Sequence, residues 1–179
     1  MTTTKNLVLC ALFAALITIG THIKIPTPLV PLTLQTLFVV LAGLVLGKKF
    51  GAISVCVYVF AGLIGLPVFT GSILNPTFGY ILGFIPGAWI AGYAAEKFTP
   101  KFFTWLLGGL AGMIIIYAFG IPYYYLLSKY YLGNELGAKA LVTYFILMPM
   151  PGDILKSILA ALIVGRLNLF FPNDFTWKR

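Results

Sequence analysis

An acidic and a basic side chain, Asp153 and Lys156, lie three residues apart in an apolar stretch that continues to Arg166. Residues three apart are neighbours on one face of a helix. If Arg166 marks one end of the span, ten residues at 1.5 Å each place Lys156 about 15 Å further into the bilayer. A charge at that depth costs about 2.5–3.5 kcal/mol even on the milder scales. The pair therefore predicts a functional polar site inside the membrane.

Two alternatives remain open around this pair. An internal salt bridge could simply fix the packing of helices, although apolar replacements often serve that purpose as well. Pro149 and Pro151 interrupt the helical hydrogen-bond ladder just before the pair. They are compatible with an ordinary kink, or with a helix N-terminus near Gly152 that opens towards a cavity and favours a bound polar group.

Asn75, Tyr80 and Gln35 are further candidates for binding a ligand. Asn75 lies in an apolar loop broken by Pro and Gly, which cannot face lipid and is expected to line a cavity. Its amide can bind a ligand or cap the next helix. Tyr80 begins that helix, either as a binding residue or as an interfacial anchor. Gln35 begins an earlier helix beside a proline-rich loop, where neighbouring backbone could also satisfy it.

The composition indicates what kind of scaffold positions these groups. The chain has 179 residues, of which 60% are hydrophobic and 9% charged, and its mean hydropathy is +1.01. Soluble domains carry about 25% charged residues, so lipid must solvate most of this surface. Apolar runs predict six spans at roughly 6–23, 33–47, 50–66, 77–95, 102–127 and 141–165. We therefore predict an all-α integral membrane protein, a six-transmembrane-helix bundle forming a single transmembrane domain over residues 1–179.

The net charge of +8 is distributed as in a multi-pass membrane protein, not as in a nucleic-acid-binding protein. With the N-terminus inside, three outer cations are Lys24, Lys129 and Lys139, and Lys156 lies within a span. The remaining eight of the twelve Lys and Arg residues fall on the inner side: Lys5, Lys48, Lys49, Lys97, Lys101, Arg166, Lys178 and Arg179. This asymmetry predicts a plasma-membrane protein with both termini in the cytoplasm.

Several functions are disfavoured by what the sequence contains. The single histidine and two cysteines within apolar runs predict neither a metal site nor a disulfide. The segment Gly43–Lys49 imitates a phosphate-binding loop but is one residue too short and lacks a following Ser or Thr. No resident cofactor is expected. If the protein transports a substrate, the energy is expected to come from another subunit.

Four segments together resemble one known family, and they occur in its order over nearly the whole chain. They read VPLTLQTLF at 30–38, AGLVLG at 42–47, GLIGLPVF at 62–69 and PGDILK at 151–156. The sequence is similar to the biotin-specific substrate-binding (S) component of energy-coupling-factor (ECF) transporters, the BioY family. This resemblance implies a six-helix membrane protein that captures biotin from outside. It also implies a complex with a transmembrane coupling protein and two cytoplasmic ATPase subunits.

Carried over residue by residue, the resemblance makes Asn75, Asp153 and Lys156 contacts of biotin, with Tyr80 nearby. Ala11 and Ala15 match the small-residue face with which such proteins dock on the coupling protein. Biotin would be the transported substrate, not a cofactor. The alternatives are an S component for another water-soluble vitamin, an intramembrane enzyme that uses Asp153 and Lys156 as acid and base, and a structural scaffold.

Overall fold

The protein is described by a computed structural model over residues 3–26, 31–69, 75, 77–132 and 137–171. Within these ranges the helices are α1 (Thr3–His22), α2 (Gln35–Leu63), α3 (Phe78–Lys97), α4 (Phe102–Leu127), α5 (Ala138–Val142) and α6 (Met150–Phe170). An antiparallel ribbon of β1 (Lys24–Ile25) and β2 (Leu32–Thr33) joins α1 to α2. Two π-helical turns, Ser128–Leu132 and Thr143–Leu147, flank α5. Five described helical stretches are long and apolar enough to cross a membrane.

The helical stretch α2 reverses direction at Gly47 and so contains two spans. Gly47 has φ 76° and ψ 177°, a backbone conformation that residues other than glycine rarely adopt. Gln35 hydrogen-bonds Tyr58, although 23 residues of continuous helix would separate them by about 35 Å. The antiparallel segments 35–46 and 48–63 account for the second and third predicted spans. The predicted six-helix bundle is therefore present.

Small residues allow α3 to pack closely between α2 and α4. A Cβ on Gly43 would lie 2.3 Å from the Ala88 carbonyl oxygen, and a Cβ on Gly112 would lie 2.8 Å from the Gly87 carbonyl oxygen. Such short separations show backbone packed on backbone, which is how membrane helices associate without a hydrophobic driving force. Gly43 and Gly112 are thus positions of close helix contact.

A single carboxylate stabilises the reversal of α2. Glu96, near the end of α3, accepts a hydrogen bond from the main-chain N–H of Lys48 at 2.9 Å and pairs with the Lys48 ammonium at 3.2 Å. The N–H groups at the start of a helical segment otherwise lack partners, so Glu96 caps the second half of α2. This end of the bundle also contains the start of α1 and of α4.

We expect Gly47→Ala to lower the free energy of unfolding by about 1–3 kcal/mol, because alanine would be strained at this backbone conformation. The thermal midpoint of the detergent-purified protein measures the effect. Gly137→Ala is the matched control, since Gly137 has φ −58° and no heavy atom within 4 Å of the added Cβ. Equal midpoints for the two variants would contradict a strained reversal.

Candidate binding site

A cavity opens at the end of the bundle opposite Gly47, between α1, the ribbon and the adjoining ends of α2, α3, α4 and α6. About 670 Å³ of space free of protein atoms lies here, a volume that includes open solvent at the mouth of the cavity. The wall is mostly apolar with a few polar groups, and it is formed by Thr21, Pro31, Leu32, Thr33, Gln35, Thr36, Phe69, Thr77, Tyr80, Ile81, Phe84, Ile116, Tyr117, Pro149, Asp153 and Lys156.

The predicted charged pair forms one wall of this cavity. The Lys156 ammonium lies 2.6 Å from Asp153 Oδ1, and the two side chains are only 12% and 8% exposed. Lys156 also donates to the Thr36 hydroxyl at 2.9 Å, while Thr36 donates to Asp153 Oδ1 at 3.3 Å. Thr36 on α2 therefore joins both charges on α6. The pair is an internal salt bridge, and it is also accessible from the cavity.

The other oxygen of Asp153 accepts a hydrogen bond from the hydroxyl of Tyr117 on α4. The carboxylate thus receives three donors, from Lys156, Thr36 and Tyr117. Since a carboxylate has about four lone-pair positions, roughly one is left for a ligand. The ammonium of Lys156 likewise spends two of its three N–H donors on Asp153 and Thr36. One acceptor position and one cationic donor thus remain for a ligand.

Tyr80 contributes to the site through its ring and to the fold through its hydroxyl. Pro149 has no N–H, so the Phe145 carbonyl four residues earlier cannot make its usual helical hydrogen bond. The Tyr80 hydroxyl donates to that carbonyl at 3.2 Å. The ring lines the cavity and packs edge-to-face on Tyr117, with centroids 6.0 Å apart. Tyr80 therefore helps to fix the approach to α6, whose first turns carry Asp153 and Lys156.

The Asn75 side chain forms a turn at Thr77, the residue before α3, and does not cap the helix itself. Asn75 Oδ1 accepts from the Thr77 main-chain N–H at 3.0 Å and from the Thr77 hydroxyl at 2.8 Å. The amide nitrogen takes no part in these two hydrogen bonds, so the turn and ligand binding are compatible. Residues 70–74 and 76 of the same loop lie outside the described residues, but Phe69 and Thr77 on either side of them line the cavity.

Gln35 lies in the cavity wall and is 7% exposed. Its amide nitrogen donates to the hydroxyl of Tyr58, so a side chain, and not only neighbouring backbone, provides a partner. The preceding residues Pro31, Leu32 and Thr33 cover the cavity from the ribbon. The proline-rich loop thus adjoins the site, with residues 27–30 outside the described ranges.

Ala11 and Ala15 lie away from the cavity, on the exposed face of α1. The opposite face of α1 is buried in the bundle through residues that include Cys10, Phe13 and Ile17. The four-residue spacing places the two alanines one helical turn apart on the same stripe. This stripe presents little side-chain volume and leaves the α1 backbone open to close approach.

Thr36 and Tyr117 are site residues that the sequence analysis did not identify. Thr36 follows Gln35 in a segment already considered, but a threonine near a helix start is common. Tyr117 is one of ten tyrosines and lies in a long apolar run. Only the arrangement of α2, α4 and α6 shows that both hydroxyls converge on Asp153.

Comparisons with known proteins agree on one family and one fold. The BioY family model matches residues 1–173. "Biotin transporter BioY" from Thermotoga maritima is 40% identical over 171 residues, which is 92% of this chain and 96% of that protein. "Probable biotin transporter BioY" from Lysinibacillus sphaericus is 39% identical over 176 residues, or 95% and 90% of the two chains. A crystal structure of the S-component for biotin from an ECF-type ABC transporter superposes with a TM-score of 0.80 at 31% identity, covering 94% of this chain and 95% of that one.

Variants of the charged pair test whether Asp153 and Lys156 stabilise each other in the folded protein. Lys156→Met should lower the free energy of unfolding by about 3–5 kcal/mol, because it leaves Asp153 as a buried charge without its cation. Combining Lys156→Met with Asp153→Asn should restore part of that loss, since the remaining amide is neutral. Thermal or denaturant unfolding of the two single variants and the double variant in one detergent measures the coupling. Strictly additive losses would show that the two charges do not depend on each other.

Proposed function

Because the chain belongs to the BioY family, we propose that it is the biotin-binding membrane subunit of an ECF-type vitamin uptake transporter. The observation that carries this proposal is the mostly apolar cavity with a single charged pair, Asp153 and Lys156, in its wall. Biotin combines an apolar bicyclic body and chain with a ureido group at one end and a carboxylate at the other. An apolar cavity with a few directed polar groups is suited to such a ligand.

The polar groups of biotin match the hydrogen-bonding positions left open at the site. The remaining lone pair of Asp153 accepts a ureido N–H, and the remaining N–H of Lys156 donates to the ureido carbonyl or the carboxylate. Asn75 adjoins the wall residue Thr77, and its amide nitrogen, which the turn does not use, is proposed as a second donor for these oxygens. The carbonyl oxygen of Gln35 is a second acceptor. Phe69, Phe84 and Ile116 and the ring of Tyr80 cover the apolar body.

An enzymatic role for Asp153 and Lys156 is not proposed, because the relatives and the structural match are transport proteins. Each charge is also already engaged by the other and by hydroxyl groups, which suits binding better than proton transfer. An S component for another water-soluble vitamin is the nearest alternative. It differs from the biotin proposal only in the ligand that fills the cavity.

The protein is a multi-pass membrane protein of a transporter family. In the proposed orientation both termini are cytoplasmic, and residues 1–179 form a single transmembrane domain. Lys48 and Lys97 then lie at the inner end, where excess positive charge is favoured. The cavity at the opposite end opens outwards beneath the ribbon, so biotin is captured from outside.

Inward delivery is proposed to require a coupling module of one transmembrane coupling protein and two cytoplasmic ATPases. The exposed stripe of Ala11 and Ala15 supports docking through α1, because two small residues one turn apart let another helix approach closely. The stripe is on the opposite side of α1 from the bundle interior. Docking can therefore occur without covering the cavity.

We expect the wild-type protein in detergent to bind biotin and to gain thermal stability from it, since a ligand of the folded state raises its midpoint. Asp153→Asn should weaken biotin about 10- to 150-fold, as a hydrogen bond to a charged group is worth about 1.5–3 kcal/mol. Isothermal titration calorimetry measures both affinities. Glu96→Gln, which removes an acid at the other end of the bundle, should bind like wild type.

A panel of other water-soluble vitamins completes this experiment. Stabilisation by a different vitamin and not by biotin would replace the ligand but keep the S-component function. Stabilisation by none of them would overturn both. Equal, tight binding of biotin by wild type and Asp153→Asn would remove Asp153 from the site.

For docking, we expect Ala11→Trp to keep biotin binding but to abolish co-purification with the coupling module. The indole would prevent close approach of a second helix at the stripe. Leu107→Trp is the control, because Leu107 is 64% exposed on α4 and is not on this face. Retained co-purification of Ala11→Trp would place the docking surface elsewhere.

A further inference from the structure

A chain of buried hydroxyl groups runs from Gln35 through Tyr58 to Thr21, and both Gln35 and Thr21 also line the cavity. The Gln35 amide nitrogen contacts the Tyr58 hydroxyl, which lies 3.3 Å from the Thr21 hydroxyl, which in turn donates to the Ile17 main-chain carbonyl at 2.9 Å. Gln35, Tyr58 and Thr21 are 7%, 1% and 3% exposed. The chain links both halves of α2 to α1. Tyr58 itself is set back from the residues that line the cavity.

Counting the available hydrogen atoms shows which group donates in each hydrogen bond of this chain. A main-chain carbonyl only accepts, so the Thr21 hydrogen goes to Ile17 and Thr21 accepts from Tyr58. The Tyr58 hydrogen is then used, and Tyr58 can only accept from Gln35. Gln35 must therefore present an N–H. If the Gln35 amide were reversed, its oxygen would face Tyr58 and one of the three contacts would have no hydrogen atom. The loss of one hydrogen bond favours the first orientation over the reversed one by about tenfold.

We propose that Thr21 and Tyr58 are specificity-determining positioning residues that hold the Gln35 amide with its carbonyl oxygen towards the cavity. The cavity wall then offers a neutral acceptor, and the ligand group opposite it must be an N–H donor. The inference rests on the proposed function and deepens it by assigning Gln35 to one of the two ureido N–H groups.

The need for such an acceptor follows from the occupancy of Asp153. Its carboxylate already receives Lys156, Thr36 and Tyr117, which leaves roughly one position for a ligand. A ureido group has two N–H donors, and an unpaired donor in a closed site is unfavourable. Gln35 provides the second acceptor without adding another negative charge beside Asp153.

Two cyclic carbamate analogues of biotin, in which a ring oxygen replaces one or the other ureido N–H, test the direction of the chain. Wild type should bind the analogue with oxygen opposite Gln35 about tenfold or more weakly than biotin, because two acceptors then face each other. In Thr21→Val, the Tyr58 hydroxyl is free to donate to Gln35, so the amide can turn and offer its N–H to the analogue. The ratio of analogue to biotin dissociation constants should fall about tenfold.

Tyr58→Phe removes the same constraint and should lower the same ratio, while the ratio for the other analogue stays unchanged. Thr21→Ser keeps the hydroxyl and should restore the wild-type ratio. Tyr124→Phe, the same change at a buried tyrosine outside the chain, should bind like wild type. If Tyr58→Phe fails to fold, the comparison of Thr21→Val with Thr21→Ser still tests the inference. A merely structural defect would weaken biotin and both analogues equally.

Unchanged ratios in Thr21→Val and Tyr58→Phe would overturn the inference. So would wild-type protein that binds both analogues as tightly as biotin. If wild type fails to bind biotin at all, the proposed function falls and this inference falls with it. Tight biotin binding by wild type, with unchanged ratios of analogue to biotin dissociation constants in the variants, would overturn this inference and leave the proposed function standing.

Discussion

Two opposite charges near the start of α6 lie within a helical bundle whose solvent is largely lipid. An unpaired Asp153 or Lys156 would be costly there, because removing one partner of a buried pair costs about 3–5 kcal/mol, a large part of the stability of a typical domain. Their mutual contact at 2.6 Å and the hydroxyls of Thr36 and Tyr117 offset that cost. Two helices, α2 and α4, are thereby tied to α6 at one place. The cavity lies beside these contacts, where part of the charged pair remains exposed.

A proline, a side-chain hydrogen bond and a π-helical turn constrain the backbone that precedes this charged pair. Pro149 removes a hydrogen-bond donor, and the Tyr80 hydroxyl compensates by donating to the Phe145 carbonyl. The π-helical turn at Thr143–Leu147 adjusts the register just before α6 begins. These features place the first turns of α6 against the cavity and keep the polar backbone from lipid. The groups that are proposed to bind the ligand are thus held in place by contacts within the bundle.

The proposed binding site and the proposed docking surface lie apart on the bundle. The cavity uses the ends of the helices opposite Gly47, whereas Ala11 and Ala15 lie on the far side of α1. α1 nevertheless takes part in both, because Thr21 on its buried face continues the hydrogen-bonded chain from Gln35. A partner that approaches the exposed face therefore contacts a helix that also supports the site. This shared helix is a direct physical connection between the two proposed surfaces.

The sequence by itself determined the membrane class, the number of spans and the charged pair, because apolar length and buried charge are local properties of the chain. It also left Asn75 open between capping and binding, and in the structure its side-chain oxygen forms a turn on Thr77 just before α3. Only tertiary structure decided that Thr36 and Tyr117 meet Asp153, and that Tyr58 lies behind Gln35. These partners are up to 117 residues apart in the chain, and hydroxyl groups on separate helices carry no periodic signal. Their convergence depends on how the helices pack, which the spacing of residues along one helix cannot specify.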